Sequence, residues 1–411
     1  MFPTAFMPFV DLFMHGLFLT GFIYGTVLSP ATNKSAPLVH NAAITFYIAV
    51  GGAGLGLCYI TPVSALLKWF PDRRGLAAGF AVCGFGAGSI VLAKVPQPSI
   101  ETVGLPVTFV VLGCCYFGAM LLCAMIFRVP PRGSQINGMD IYRNKAAATD
   151  DPGASMVLSN AIFSKEYRIM YIMFFGNSIA GLVFLSRLAN IIKDIFGKDE
   201  ATAATIVAIN GGFNLGGRLF FSTISDRLGR KNAFFAMLAS QVVILGSLQT
   251  IMEKRVYWAF LLVIWILTSC YGSGFGCIPA FLCDMFGPSN IGALHGIILT
   301  AWSLAGVGGG LMFTEIYNHF LANGHTPKDP FVYSVNIHWI LGVACVGFVF
   351  LLFVGTKIRD RLLKAKGEWF RVRLFDRLMR VGSFKVHALS QAVERSRTQE
   401  GAGECQRHYF Y

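Results

Sequence analysis

Charge is what this sequence lacks most. Of 411 residues, only 13% are Asp, Glu, Lys or Arg, while 55% are hydrophobic. A soluble domain carries about 25% charged residues. The mean hydropathy is +0.59. This composition excludes an ordinary soluble enzyme or nucleic-acid-binding domain. Acidic side chains are the scarcer sign, 21 against 34 Lys and Arg. Cysteine outside the apolar runs is nearly absent. Most of the ten (Cys58, Cys83, Cys114, Cys115, Cys123, Cys270, Cys277, Cys345 among them) fall inside such runs and none in a predicted outer loop. That argues against a disulfide framework. No Cys–His set has zinc spacing, and no nucleophile–base pair stands out, so no metal, cofactor or enzymatic chemistry is expected. Met1 to Phe9 has no basic stretch ahead of its apolar run, so no cleaved signal peptide is expected.

What is present is a series of apolar runs of about 20 residues, each able to cross a bilayer core of about 30 Å. They predict an all-α, polytopic membrane protein with about 10 transmembrane helices, because open strands cannot satisfy their backbone in lipid. The expected spans are 12–29, 43–67, 75–95, 105–127, 169–191, 203–225, 233–251, 257–283, 290–314 and 332–355. Pro62, Pro71, Gly75 and Gly79 reappear at one constant offset as Pro279, Pro288, Gly292 and Gly296. Duplication between apolar halves marks many secondary transporters, with substrate bound between the halves. Carried back by that offset, the helices at 170–191 and 203–225 would fall wholly or largely before Met1, so the first half is expected to lack two helices. The expected organisation is an incomplete four-helix half over 1–128 and a cytoplasmic linker, partly helical, over 129–168. A six-helix half over 169–355 and a basic cytoplasmic tail over 356–411 complete it.

The basic residues set orientation. With the 67–75 loop cytoplasmic, the other side holds only Lys34, Lys94, Lys193, Lys198, Lys254, Arg255 and Lys328. The positive-inside rule then puts both termini in the cytoplasm, with the plasma membrane as default and an organelle membrane open. The net charge of +13 reflects this topology rather than nucleic acid. In the tail, Leu362, Leu363, Trp369, Phe370, Leu374, Phe375, Leu378 and Met379 recur among Arg and Lys. That spacing predicts an amphipathic helix on anionic lipid, the alternative being a solvated tail. Residues 396–411 read as disordered. Asn33-Lys34-Ser35 is a sequon in a short outer loop.

The sharpest motif is Gly217-Arg218 followed by Asp226-Arg227-Leu228-Gly229-Arg230-Lys231 at a helix end. It resembles the signature loop of the major facilitator superfamily. Asp226 could face the positive N-terminal end of a neighbouring helix, expected to be the one opening near Gly292, with Arg227 and Arg230 holding the carboxylate. Together with Gly229 and Lys231 these residues form a candidate conformational latch; the plainer alternative is a generic basic turn. In the first half, Pro8-Phe9-Val10-Asp11 lacks the basic residues.

Lys68-Trp69-Phe70-Pro71-Asp72-Arg73-Arg74-Gly75 through Gly79 narrows the resemblance. With Gly52, Gly54, Gly56, Tyr59, Gly84, Gly86 and Gly88 around it, this stretch resembles the oxalate/formate antiporter family. The related monocarboxylate porters are similar. Arg128-Val129-Pro130-Pro131 and Asp284-Met285-Phe286-Gly287 agree. The resemblance implies transport of small carboxylates by alternating access, with an arginine just upstream of the signature loop, here Arg218, contacting the substrate carboxylate. The G-x-G strings lie inside apolar spans, where close helix packing explains them better than nucleotide binding.

Arg218 is also singled out by its own chemistry. An arginine deep in a span costs about 2.5–3.5 kcal/mol and usually faces a cavity or a partner. A guanidinium grips a carboxylate with two parallel hydrogen bonds. The alternatives are snorkelling or pairing with Asp226. Asn214 lies one turn before it on the same face. The porters carry an acid at that spacing, and asparagine cannot hold an exchangeable proton. Tyr59, Asn210 and Tyr271 complete the candidates, with packing aromatics as the alternative for the tyrosines. Oxalate-exchanging members carry a lysine where Trp302 stands; 290–314 holds no Lys or Arg. One cation suits a monocarboxylate such as lactate, pyruvate or formate. Arg187 is expected to snorkel at the outer end of its span, with a substrate contact as the alternative, and His295 to sit at the interface, with a proton-linked charge as the alternative. The expected protein is a monomeric secondary transporter of a small carboxylate anion, with a proton or a counter-anion as its second solute. The alternative is a non-transporting or truncated membrane protein acting as sensor or subunit.

Overall fold

The computed structural model describes residues 59–92, 96–126, 128–131, 135–136, 139–140, 158–355, 368–374, 377–382 and 385–388. The expected span 12–29, most of 43–67, the sequon at Asn33, the Asp11 region and the 396–411 tail lie outside the described residues.

The membrane part is all helical, as expected. Helix α1 runs through 59–69. It is followed by α2 (Arg74–Leu92), α3 (Pro96–Val103), α4 (Leu105–Ile126) and α5 (Leu158–Ile162). The second half contains α6 (Lys165–Asp194), α7 (Glu200–Leu228), α8 (Arg230–Glu253), α9 (Tyr257–Phe286), α10 (Ile291–Ala322) and α11 (Pro330–Leu352). Among the described residues, α6, α8, α9, α10 and α11 are long and apolar enough to cross a membrane. Helix α7 is as long, at 29 residues. It is less apolar because Asn210, Asn214 and Arg218 interrupt it.

Helix ends follow capping chemistry. Ser164 Oγ accepts from Tyr167 N at 3.2 Å, Asp199 Oδ2 from Thr202 N at 3.2 Å and Asp329 Oδ1 from Phe331 N at 3.0 Å. Gly229 joins α7 to α8 at φ 88°, a conformation open to glycine and strained for other residues. The helices overrun the expected spans; α10 continues to Ala322 rather than 314. Hydropathy marks the lipid-crossing stretch, whereas backbone hydrogen bonding carries the helix past it.

Three local features differ from expectation. Helix α3 occupies the gap between the expected spans 75–95 and 105–127, since proline is tolerated in a first turn. The 129–168 stretch, which holds α5 in keeping with a partly helical linker, also carries a two-residue strand pair, Gln135–Ile136 (β1) with Met139–Asp140 (β2). The tail is not the amphipathic helix expected. Glu368–Leu374 (β3), Arg377–Gly382 (β4) and Lys385–Ala388 (β5) form an antiparallel sheet in the order β3-β4-β5. The reason is visible in the sequence: Phe370, Val372 and Leu374 alternate with Arg371 and Arg373, a period of two rather than 3.6.

Helix α9 is the hub, packed against α7, α8, α2 and α6, while α6 also packs on α10 and α11. Phe174, Met170, Met173, Phe234, Phe281 and Phe260 are fully buried among these helices. Lipid tails are as apolar as leucine, so small residues and polar contacts drive such packing. A Cβ on Gly217 would collide with the Ser269 backbone of α9, and one on Gly79 would press on Ser222 of α7. The second contact joins the two halves.

Candidate functional site

The signature loop builds an ion network between the halves. Asp226, at the end of α7, accepts from Gly75 N at 2.9 Å and from Leu76 N at 3.0 Å. These are orphan amides in the first turn of α2, where the helix dipole also favours a carboxylate. Arg230 bonds Asp226 and donates from Nε to Asp284 Oδ2 at 2.9 Å. Asp284 Oδ1 accepts from Arg74 Nη1 at 3.0 Å. Two acids and two arginines thus compensate one another across the seam. A Cβ at Gly75 would strike the Ser222 carbonyl, Arg230 and Asp226, so only glycine fits there.

This corrects three expectations. The partner helix is α2, not the one opening near Gly292. Ile291 begins the repeat copy of Arg74, and only the copy in the first half can tie the halves together. Arg227 is exposed and makes no bond to Asp226. Lys231 is buried and donates to Leu352 O and Val354 O, both at 2.8 Å, closing the end of α11 within the second half. Asp284, which the sequence offered only as part of a family motif, belongs to the network.

Arg218 neither snorkels nor pairs with Asp226. It is 6% exposed. Its Nε donates to Asn214 Oδ1 at 3.0 Å and its Nη1 to Val82 O of α2 at 2.8 Å. The guanidinium carbon lies 5.4 Å from the Phe275 ring centroid, in cation–π range. Phe275 meets Tyr271 and Trp302 edge-on at 5.5 and 5.6 Å. Trp302 Nε1 donates to Tyr271 Oη at 3.1 Å. Arg218, Asn214, Tyr271 and Trp302 are therefore joined around Phe275, a residue that sequence reasoning missed. Its only signal was its place one turn beyond Tyr271. Tyr59 comes from the first half, and its ring faces His295 of α10.

Two further expectations change. His295 is 1% exposed rather than interfacial. Its ring sits 5.8 Å from that of Tyr59, and neither ring nitrogen bonds a described residue. Arg187 does not snorkel: its Nη2 donates to Thr314 Oγ1 on α10, and it lies over Phe313. Asn210 is fully buried with neither amide atom bonded among the described residues. Among those residues no three His, Cys, Asp or Glu side chains gather to hold a metal.

Fold and site together define an integral, multi-pass helical membrane protein of two halves, with a buried guanidinium and a charge network at their seam. The chain belongs to the Major Facilitator Superfamily, which it matches over residues 5–310. It is 25% identical over 275 residues to the "Oxalate:formate antiporter" of Oxalobacter formigenes, covering 66% of this chain and 62% of that one. It is 22% identical to "Apicoplast pyruvate carrier 1" of Toxoplasma gondii, covering 67% of this chain and 60% of that one. The chain thus spans about 60% of the length of these relatives. Among solved structures it resembles a bacterial homologue of the iron transporter ferroportin in an outward-facing state. The TM-score is 0.61 at 13% identity, covering 86% of this chain and 84% of that one. That likeness shows the fold alone. The resemblance to the oxalate/formate antiporter family and the monocarboxylate porters is borne out, and these relatives are transporters rather than enzymes.

Proposed function

We propose that this protein is a secondary transporter of small organic anions, monocarboxylates of the lactate, pyruvate or formate class, working by alternating access. The observation that carries the reading is Arg218, a buried guanidinium on α7 that bonds across the seam to Val82 O. It grips the carboxylate in bidentate fashion. Tyr271, Trp302 and Tyr59 shape the rest of the site, and Asn214 holds the Arg218 side chain. The Asp226–Arg230–Asp284–Arg74 network latches the end that the basic loops assign to the cytoplasm. The substrates for which these relatives are named, oxalate, formate and pyruvate, support the substrate class.

The second solute in this reading is a counter-anion. Asn214 stands where a proton carrier would have an acid, and an empty site leaves a buried cation to be moved unaccompanied. The protein acts as a monomer, with the basic tail near anionic lipid. Uptake by full-length protein in liposomes tests the reading. Arg218→Gln abolishes saturable carboxylate exchange in folded protein, while Arg218→Lys retains a small part. Exchange by Arg218→Gln at the wild-type rate would refute the assignment.

A further inference from the structure

A second cation lies on a face that the Arg218 site does not use. Arg187 stands on α6, seven residues before its end at Asp194, about 10 Å inside by helical rise. Its Nη2 is held by Thr314 Oγ1, and its guanidinium carbon is 5.0 Å from the Phe313 centroid. No described carboxylate pairs with it. Together with Ser186, Gly306, Gly310 and Thr314 it lines a depression of about 480 Å³. A span cation without a counter-charge is costly and is kept where it meets a cavity or a ligand. The Ser186 and Thr314 hydroxyls donate to Val183 O and Gly310 O of their own helices, which leaves the guanidinium as the group that suits a carboxylate.

The depression has a route to Arg218. Thr314, Gly310, Gly306 and Trp302 stand at four-residue intervals on α10, along one ridge that winds about 120° round the helix from end to end. A Cβ on Gly310 would meet nothing within 4 Å, and one on Gly306 only Leu182 Cδ1 at 3.5 Å. Among the described residues the floor between the depression and Trp302 is therefore bare. Trp302 in turn touches Tyr271 and Phe275, the ring beside the Arg218 guanidinium. Helices α6 and α7 run in opposite directions. By helical rise Arg187 lies about 16 Å from Arg218 along the bundle, toward the end away from Asp226. With the Asp226 network closed, that is the end from which ligand enters.

We propose that Arg187 is an entry site for small monocarboxylate anions, and that the glycine ridge of α10 is their track to Arg218. The ligand class rests on the transport reading above. The test uses full-length protein with pyruvate as probe. Phenylglyoxal modification of Arg187, followed by peptide mass spectrometry, is slowed by pyruvate in wild-type and in Arg218→Gln protein alike. Arg218→Lys serves if the glutamine variant does not fold. Chloride at matched ionic strength protects less. In exchange assays, Arg187→Gln lowers Vmax/KM about tenfold and flattens its dependence on ionic strength, and Arg187→Lys restores most of both. A merely structural role would leave the salt dependence unchanged. Protection that disappears in both Arg218 variants, or equal protection by chloride, overturns the entry site. Protection that persists in a protein without exchange keeps the entry site and removes the transport reading. Exchange that depends on Arg218 without any protection at Arg187 does the reverse.

Discussion

Removing the charge of Asp226 tests the cross-seam network most directly. Asp226→Asn keeps the shape and deletes the anion. The carboxylate takes three bonds, from Gly75 N, Leu76 N and Arg230. A bond to a charged group contributes about 1.5–3 kcal/mol and a neutral one about 0.5–1.5. Neutralisation therefore costs about 1 kcal/mol per bond. The new amide also turns N–H toward one of these donors and loses that bond outright. The dipole at the α2 N-terminus adds about 0.5 kcal/mol. The Asp226 side chain is 17% exposed, and after discounting for that screening the total is about 3 kcal/mol. That is a change of about 150-fold in the closed-to-open ratio, so a closed state populated at about 99% would fall to about 40%. The assay is the distance between spin labels at Trp69→Cys and Leu228→Cys, one exposed residue from each half, in protein freed of other reactive cysteines. Wild type should give one short distance and Asp226→Asn two. Arg227→Gln, which alters the loop charge outside the network, should leave the wild-type distribution. A single short distance in folded Asp226→Asn protein would refute the reasoning.

Three further outcomes are expected. Lys231→Met loses two bonds from a charged donor to Leu352 O and Val354 O. It should lower thermal stability by about 2–4 kcal/mol while leaving the label distance unchanged, as read by melting and spin-label experiments together. Asp329 caps α11, and its carboxyl is held below the usual range first by the His325 hydrogen bond and then by Phe331 N. A depressed folded value means that its stabilisation is present above the unfolded value of about 3.9 and is lost as pH falls through the folded one. Protection factors against hydrogen exchange at Val332 and Tyr333, taken relative to the intrinsic rate at each pH, should therefore fall in acid in wild type and already at neutral pH in Asp329→Ala, an effect of about 1 kcal/mol. Trp302→Lys adds a second cation beside Tyr271, so oxalate should begin to compete with labelled pyruvate for exchange.

The sequence was most legible where a residue breaks the composition around it. Arg218 stands out because a guanidinium in an apolar helix needs a reason, and the Asp226 loop because its charges cluster after a long apolar run. Phe275 was invisible for the opposite reason: an aromatic in an apolar helix carries no signal until its neighbours are known. The partner of Asp226 was ambiguous because duplication presents the same helix start twice, at Gly75 and Gly292. Only packing tells which copy crosses the seam. The tail misled because bulky apolar residues at 369–379 admit both a helical and a strand spacing. Arg187 was read as a residue near a span end, yet Thr314 and Phe313, far off in sequence, hold it inside the bundle.

The site and the network are mechanically one object, because the same two helices carry both. Helix α2 supplies Val82 O to Arg218 and the Gly75 and Leu76 amides to Asp226. Helix α7 supplies Arg218 and Asp226, eight residues apart, about 12 Å along the axis. A carboxylate that takes both guanidinium edges of Arg218 must compete with the Val82 carbonyl for Nη1. Losing that bond removes about 1.5–3 kcal/mol of cross-seam attachment, which corresponds to a coupling of about 10–150-fold between anion binding and the open state. The ligand can then help release a network that it never touches. By reciprocity, Asp226→Asn should tighten anion binding by up to the same factor, provided the open state is the one that binds without the Val82 bond. Titration of pyruvate into Arg187→Gln protein with and without Asp226→Asn measures that coupling at the Arg218 site alone. Equal affinities in the two would mean that α2 and α7 move without reference to what Arg218 holds.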